Sequence, residues 1–180
     1  MSSATDTSEA IGRNGGDPAR TKVVTWEDPV PHAMAGREMR GIDYLRKIAS
    51  GEVPAPPISR LMGFHVTEAD GKRAVFEVVP GEEHYNPIGV VHGGLAATML
   101  DSAMGVAVHA MLGPGEAYTT LEIKVNFVRP MTRDTGKVRA IGEVVHLGRR
   151  TATAQARLED ESGRLLAHST ATCMIMRAEE

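Results

Sequence analysis

The chain has 180 residues, 42% of them hydrophobic and 24% charged, with a formal net charge of −3. That length suffices for one domain with a real hydrophobic core. The acidic balance and the 4% aromatic content argue against a nucleic-acid partner, which needs clustered cations and stacking rings. The single cysteine, Cys173, forms no internal disulfide and reads as a small buried hydrophobe, compatible with a reducing cytoplasm.

Met1 to Arg20 is Ser, Thr, Gly and charge without an apolar stretch, so it is not a secretory signal. Met1 to about Lys22 reads as a disordered tail. Val23 to His32, with Trp26 and two prolines, reads as an irregular arm. Met39, Ile42, Leu45, Ile48 and Ala49 then mark one apolar face of a short helix over about Ala35 to Ser50, weakened by Gly41. That helix either packs beside the main domain or lies over a pocket. Pro54, Pro56 and Pro57 form a stiff linker. Residues 1–57 are thus tail, arm and helix, and residues 58–180 are the main domain.

Two strands open that domain, Leu61 to Glu68 and Arg73 to Val79, joined by the turn Ala69-Asp70-Gly71-Lys72. The longest apolar run, Leu95 to Leu112, is interrupted by Asp101 and His109 and flanked by Gly94 and by Gly113-Pro114-Gly115. It reads as a buried helix over about Gly93 to Leu112 rather than a membrane span. Four strands follow: Thr119 to Val128, Thr135 to Val145, Arg150 to Glu159 and Leu165 to Met176. In the first of these, Leu121, Ile123, Val125 and Phe127 alternate with Thr120, Glu122, Lys124 and Asn126.

The helix carries apolar residues around its whole circumference, which predicts burial on all sides. The economical arrangement is one helix wrapped by a curved antiparallel sheet. The fold class is therefore α+β: a hotdog fold of about six strands, two before the long central helix and four after it.

Chemistry concentrates in the segment from Asn86 to Asp101. A polar turn with Gly93-Gly94 runs into the apolar helix. A helix start offers free backbone N–H groups to a negative oxygen. A carboxylate among Leu, Met and Ala is costly unless its charge is used. These are parts of an acyl-transfer site.

The motif Asn-x-x-Gly-x-x-His-Gly-Gly-x-x-x-x-x-x-Asp, from Asn86 to Asp101, and the order of elements resemble the hotdog-fold acyl-CoA thioesterases of the phenylacetate-pathway (PaaI-like) type. The resemblance covers about Leu61 to Met176. It implies that Asp101 is the general base or the nucleophile. It also implies that Gly93, beside Gly94, presents its N–H to the thioester oxygen, that Asn86 places the water or the carbonyl, and that His92 shapes the turn. Thr120 falls in register with a hydroxyl residue that holds the attacking water, with Thr119 as its neighbouring alternative. A branch with glutamate at position 101 carries a threonine one turn later, where this chain has Gly105. The resemblance further implies binding of the coenzyme A phosphates near Arg149-Arg150-Thr151, at the hairpin between the second and third of the last four strands. Guanidinium groups suit phosphates; Lys124 and Arg129 are further candidates, and a solvated hairpin rim is the competing reading.

Spacing adds a demand. Eight helical residues separate Gly93 from Asp101, a rise of about 12 Å at about 1.5 Å per residue. One thioester carbon cannot sit about 3 Å from both. Either the helix breaks, or Gly93 of one subunit meets Asp101 of another. The expectation is a dimer with shared sites, which the resemblance extends to a tetramer. The expected partners are the acyl-CoA substrate and a second copy of the chain, with no nucleic acid and no membrane. The location is cytoplasmic.

No metal and no separate cofactor are expected, coenzyme A being part of the substrate, since His84, His92 and His109 lack ligand spacing. A hotdog enoyl-CoA hydratase would need an Asp-x-Asn-Pro-x-His loop. Here His84 and Gly89 stand in place of its aspartate and histidine. A non-catalytic acyl-CoA sensor is the other alternative, but the N-terminal residues hold too few helices for a DNA-binding module.

Overall fold

A computed structural model describes residues 20–177. Its elements are α1 (Pro29–Arg37), α2 (Gly41–Ser50), α3 (Pro57–Met62), β1 (His65–Asp70), β2 (Arg73–Val78), α4 (Gly93–His109), β3 (Glu116–Phe127), β4 (Val138–Leu147), β5 (Thr151–Asp160) and β6 (Leu165–Arg177), with short 3₁₀ turns at Glu82–His84 and Arg133–Thr135. The six strands form one antiparallel sheet in the order β1-β2-β4-β5-β6-β3. The expected α+β hotdog arrangement is therefore present.

The sheet curls around α4. Val75, Val138, Ala140, Ala152, Leu158 and Cys173 are among the buried strand residues, and Leu95, Met99, Leu100 and Met104 are fully buried on α4. Each buried valine, leucine or methionine among them contributes about 1.5–3 kcal/mol through burial. The helix lies close to β4 because Gly142 has no side chain: a Cβ there would stand 2.3 Å from the Ala103 carbonyl.

Burial of α4 is not complete. Ala97, Thr98, Asp101, Ser102, Val106 and His109 are only half-buried. The sheet stops at the edges of β1 and β3, so one stripe of the helix faces the gap between them. This corrects the expectation of a helix covered all round.

The N-terminal reading needs several corrections. The helix expected over about Ala35 to Ser50 is two helices, α1 and α2, separated at Glu38–Arg40. The irregular arm ends at Asp28, whose carboxylate accepts from the Val30 N–H at 3.0 Å and caps α1. Gly41 does not weaken the interior of α2 but begins it, donating its N–H to the Leu112 carbonyl at 3.0 Å. The proline linker runs into α3, where Pro57 takes the first helical position, at which its missing N–H has no consequence. The first strand starts four residues later than expected because α3 occupies Leu61 and Met62. Of the tail expected over Met1 to Lys22, residues 1–19 lie outside the described ones. Arg20 and Lys22 form ion pairs with Glu82 and Glu83. No helix among the described residues is long and apolar enough to cross a membrane.

Candidate active site

The turn before α4 is built by its own polar groups. Asn86 Oδ1 accepts from the N–H groups of Ile88 and Val90, at 3.1 and 3.3 Å. Gly89 supplies the positive φ of 81° that the turn requires. His92 caps α4: its Nδ1 accepts from the Gly94 N–H at 2.8 Å. The His92 N–H donates in turn to the His84 carbonyl at 2.7 Å. His84 is itself held, with Nδ1 accepting from the Gly81 N–H at 2.9 Å and Nε2 3.0 Å from the Met62 carbonyl. The histidines thus serve the turn.

This wiring leaves one donor open at the helix start. The Gly94 N–H is taken by His92. The Gly93 N–H makes no hydrogen bond among the described residues. Gly93 lines a cavity of about 420 Å³ with Ala96, Phe127, Arg129, Met131 and Leu166. Such a donor, at the positive end of a 17-residue helix, suits a developing oxyanion.

Asp101 sits two turns further along, half-buried. Its Oδ1 accepts from Thr120 Oγ1 at 3.0 Å. The strict alternation read from the sequence placed Thr120 with Glu122, Lys124 and Asn126, on the face opposite Ile123, Val125 and Phe127. A β-bulge corrects this. Thr120 pairs with Cys173 and Glu122 with Thr172, leaving Leu121 as the extra residue. The bulge shifts the phase of the strand, so Thr120 points at the helix while Ile123, Val125 and Phe127 keep that same face. Leu121 is pushed out and is 56% exposed.

Around this pair lies a second cavity, of about 270 Å³, in the gap between β1 and β3. Asp101, Ser102 and Val106 of α4 form its floor. Leu45 and Ile48 of α2, Pro56 before α3, and Ile58 and Ser59 of α3 form its roof. The N-terminal helices therefore both pack on the domain and cover the pocket. Tyr118 also lines it. Burial, with the Asp101 charge beside it, pushes the Tyr118 phenol well above its usual range. Gly105 makes that placement possible, since a Cβ there would lie 2.4 Å from the Tyr118 hydroxyl. Cys173 is fully buried nearby, and burial raises its thiol pKa, so it is a neutral packing group. Sequence reasoning missed Tyr118, Ser102 and Ser59, which only the closing of the sheet and of α3 gathers around Asp101.

Arg149 and Arg150 are exposed in the β4–β5 turn. The rows of the sheet place that turn near the pair: Thr120 opposes Cys173, Cys173 opposes Ala152, and Thr151 follows the arginines. The backbone carbonyl of Arg149 accepts from Arg177 Nη1 at 2.7 Å.

Helix α4 runs without a break from Gly93 to His109. The alternative of a broken helix is therefore removed, and one chain does not bring Gly93 and Asp101 to one carbon.

Comparison with known proteins places this arrangement in a family. The sequence profile described as the thioesterase superfamily matches residues 88–167. The chain is 24% identical over 120 residues to the 1,4-dihydroxy-2-naphthoyl-CoA hydrolase of Listeria monocytogenes, a match spanning 67% of this chain and 96% of that protein. It is 31% identical over 128 residues to a Mycobacterium tuberculosis protein named "Putative esterase Rv1847", spanning 66% of this chain and 89% of that one. Among solved structures, a phenylacetic acid degradation-related protein from Ralstonia eutropha JMP134 superposes with a TM-score of 0.66 at 29% identity, covering 73% of this chain and 98% of the other. The chain belongs to the thioesterase superfamily and is a thioester hydrolase on the hotdog fold.

Proposed function

We propose that the protein hydrolyses acyl-CoA thioesters at two sites shared across a homodimer, each pairing Gly93 of one subunit with Asp101 of the other. The observation that carries the reading is the Thr120–Asp101 hydrogen bond, with Asp101 on the floor of an apolar cavity, in a chain of this superfamily.

The chemistry follows from those groups. Thr120 holds Oδ1 of Asp101, and Oδ2 makes no hydrogen bond among the described residues. Asp101 takes a proton from water as the water oxygen bonds to the thioester carbon. The Gly93 N–H, backed by the helix dipole, stabilises the resulting oxyanion. Collapse breaks the carbon–sulfur bond, and the leaving thiolate receives the proton from Asp101. Direct attack by Asp101 is the second reading, favoured by the same free Oδ2.

In this scheme Asn86 and His92 act by holding the turn that aims the Gly93 N–H, and the half-buried Gly94 stands beside the substrate oxygen. Arg149, Arg150 and Thr151 grip the coenzyme A phosphates at the rim. The dimer is supported by the unbroken helix and by β3, an edge strand with Leu121, Ile123 and Phe127 exposed. A tetramer is a further doubling of the same unit.

Free-thiol release from a panel of acyl-CoA and aryl-acyl-CoA esters, including 1,4-dihydroxy-2-naphthoyl-CoA, tests the reading. Release from at least one ester, abolished in Asp101→Asn, is expected. Saturable binding with no release from any ester would instead identify a sensor, and loss of enoyl absorbance without thiol would identify a hydratase.

A further inference from the structure

Three polar side chains are buried among the described residues: Asp160, Ser169 and Ser59. Asp160 accepts from Ser162 and Arg164. Ser169 Oγ lies 3.5 Å from Met104 Sδ. Ser59 is 4% exposed, and its hydroxyl makes no hydrogen bond to the protein among the described residues while keeping a little contact with solvent. Helical serines and threonines commonly satisfy their hydroxyl on the preceding turn. Ser50 does so on the Lys47 carbonyl, and Thr98 on the Gly94 carbonyl. Ser59 does not: its backbone N–H binds the Pro56 carbonyl, and the residue lines the same cavity as Asp101.

The rest of that cavity is largely apolar, with Leu45, Ile48, Val66, Phe76 and Val106 on its walls. An apolar cavity of about 150 Å³ holds a benzene ring. At about 270 Å³ this one has room for a single substituted ring or a short chain. An acyl group that enters displaces whatever water satisfies a lining hydroxyl. A hydrocarbon then leaves that hydroxyl unpaired, and an oxygen substituent restores the bond.

We propose that Ser59 is a specificity-determining residue, whose hydroxyl selects compact acyl groups bearing an oxygen substituent away from the thioester. The inference rests on the acyl-CoA reading above. It also assigns a role to α3, which lies outside residues 88–167 matched by the family profile. A buried site built to hydrogen-bond a substrate oxygen discriminates against the analogue that lacks it.

The test compares matched thioesters: benzoyl-CoA with its 3-hydroxy and 4-hydroxy derivatives, and phenylacetyl-CoA with its 4-hydroxy derivative. In the wild type, kcat/KM for at least one hydroxylated member exceeds that of its partner by about tenfold, the worth of one neutral hydrogen bond. In Ser59→Ala that ratio falls to about one, chiefly through KM. Ser59→Thr, which keeps the hydroxyl, restores part of it. A ratio unchanged in Ser59→Ala, or no preference in any wild-type pair, overturns the proposal. Should no ester release thiol, the acyl-CoA reading fails. Calorimetric binding of the free hydroxylated and unsubstituted acids to wild type and Ser59→Ala then decides the role of Ser59 by itself, with equal affinities counting against it.

Discussion

Thr120 Oγ1 donates a hydrogen bond to Asp101 Oδ1 at 3.0 Å, across from β3 to α4. The contact exists because the bulge at Leu121 turns Thr120 inward. In the proposed mechanism Asp101→Asn removes the base without changing its size, so kcat is expected to fall by about 10²–10⁴ while thermal unfolding moves little. Thr120→Val keeps the shape and loses the donor. Its kcat falls about tenfold, and Thr120→Ser recovers most of the rate. Steady-state kinetics of the three variants check this, and unimpaired Thr120→Val would remove the hydroxyl from the mechanism.

Base and nucleophile differ in the fate of oxygen. In a single turnover in H₂¹⁸O, general-base attack puts ¹⁸O into the released acid. Attack by Asp101 followed by hydrolysis at its own carbonyl leaves the first acid unlabelled and labels Asp101. Mass spectrometry of product and protein reads the two apart, and the free Oδ2 permits both routes.

The proposed shared sites make a complementation experiment possible. Proline is tolerated at the first position of a helix, so Gly93→Pro deletes the N–H and keeps α4 once the Phe127 ring, 3.0 Å from a Cβ at that position, turns aside. Each of Gly93→Pro and Asp101→Asn is impaired in both sites of its own dimer. Random exchange makes about half the dimers hybrid, each with one intact site, and activity returns to about a quarter of wild type. Absence of recovery after verified subunit exchange would overturn the shared site. A charge at the β3 edge, Ile123→Lys, is expected to lower both the sedimentation-derived mass and the activity.

Gly105→Ala introduces a methyl group against the Tyr118 ring and hydroxyl, where a Cβ would lie 2.4 Å from the oxygen. Overpacking of this kind costs about 1–3 kcal/mol. The tyrosine also lines the cavity that Asp101 lines. Denaturant unfolding therefore shows lost stability, and KM for the preferred ester rises. The double variant Gly105→Ala, Tyr118→Phe relieves contact with the hydroxyl and regains part of both.

Acid stability carries a contribution from Asp160. The Ser162 hydroxyl first, then the Arg164 backbone and guanidinium, hold its carboxyl down at about 2 against an ordinary value of 3.8. A depressed folded-state pKa stabilises above the unfolded value and loses that effect as pH falls through the folded one. The contribution is therefore whole above about pH 4 and fades toward pH 2. Asp160→Asn flattens the slope of stability against pH in that window, as measured by urea unfolding at a series of pH values.

The hotdog arrangement was legible because its signals are local. Apolar runs, alternation and turn residues mark the strands and α4 within a few residues. The N-terminal helices were harder. Pro56 and Pro57 read as a linker, while the structure uses Pro57 to begin α3. Gly41 read as a helix weakness, while it begins α2.

The site divides along the same line. Asn86, Gly93 and Asp101 lie on one continuous segment, so their spacing alone reduced the options to a broken helix or a shared site, and the unbroken α4 removed the first. Thr120 was legible by position, but its direction was not. A bulge is a relation between two strands, and the alternation of one strand places Thr120 on the wrong face. Ser59, Tyr118 and Asp101 are far apart in sequence. What joins them is the open gap between the β1 and β3 edges, and α3 folding over it. The sequence by itself determined the central helix, its two chemical positions and the number of strands, because hydrophobic periodicity and helical rise are properties of contiguous residues. The tertiary structure decided which side chains face the carboxylate and what closes the pocket, because those depend on sheet curvature, register and close approach between segments distant along the chain.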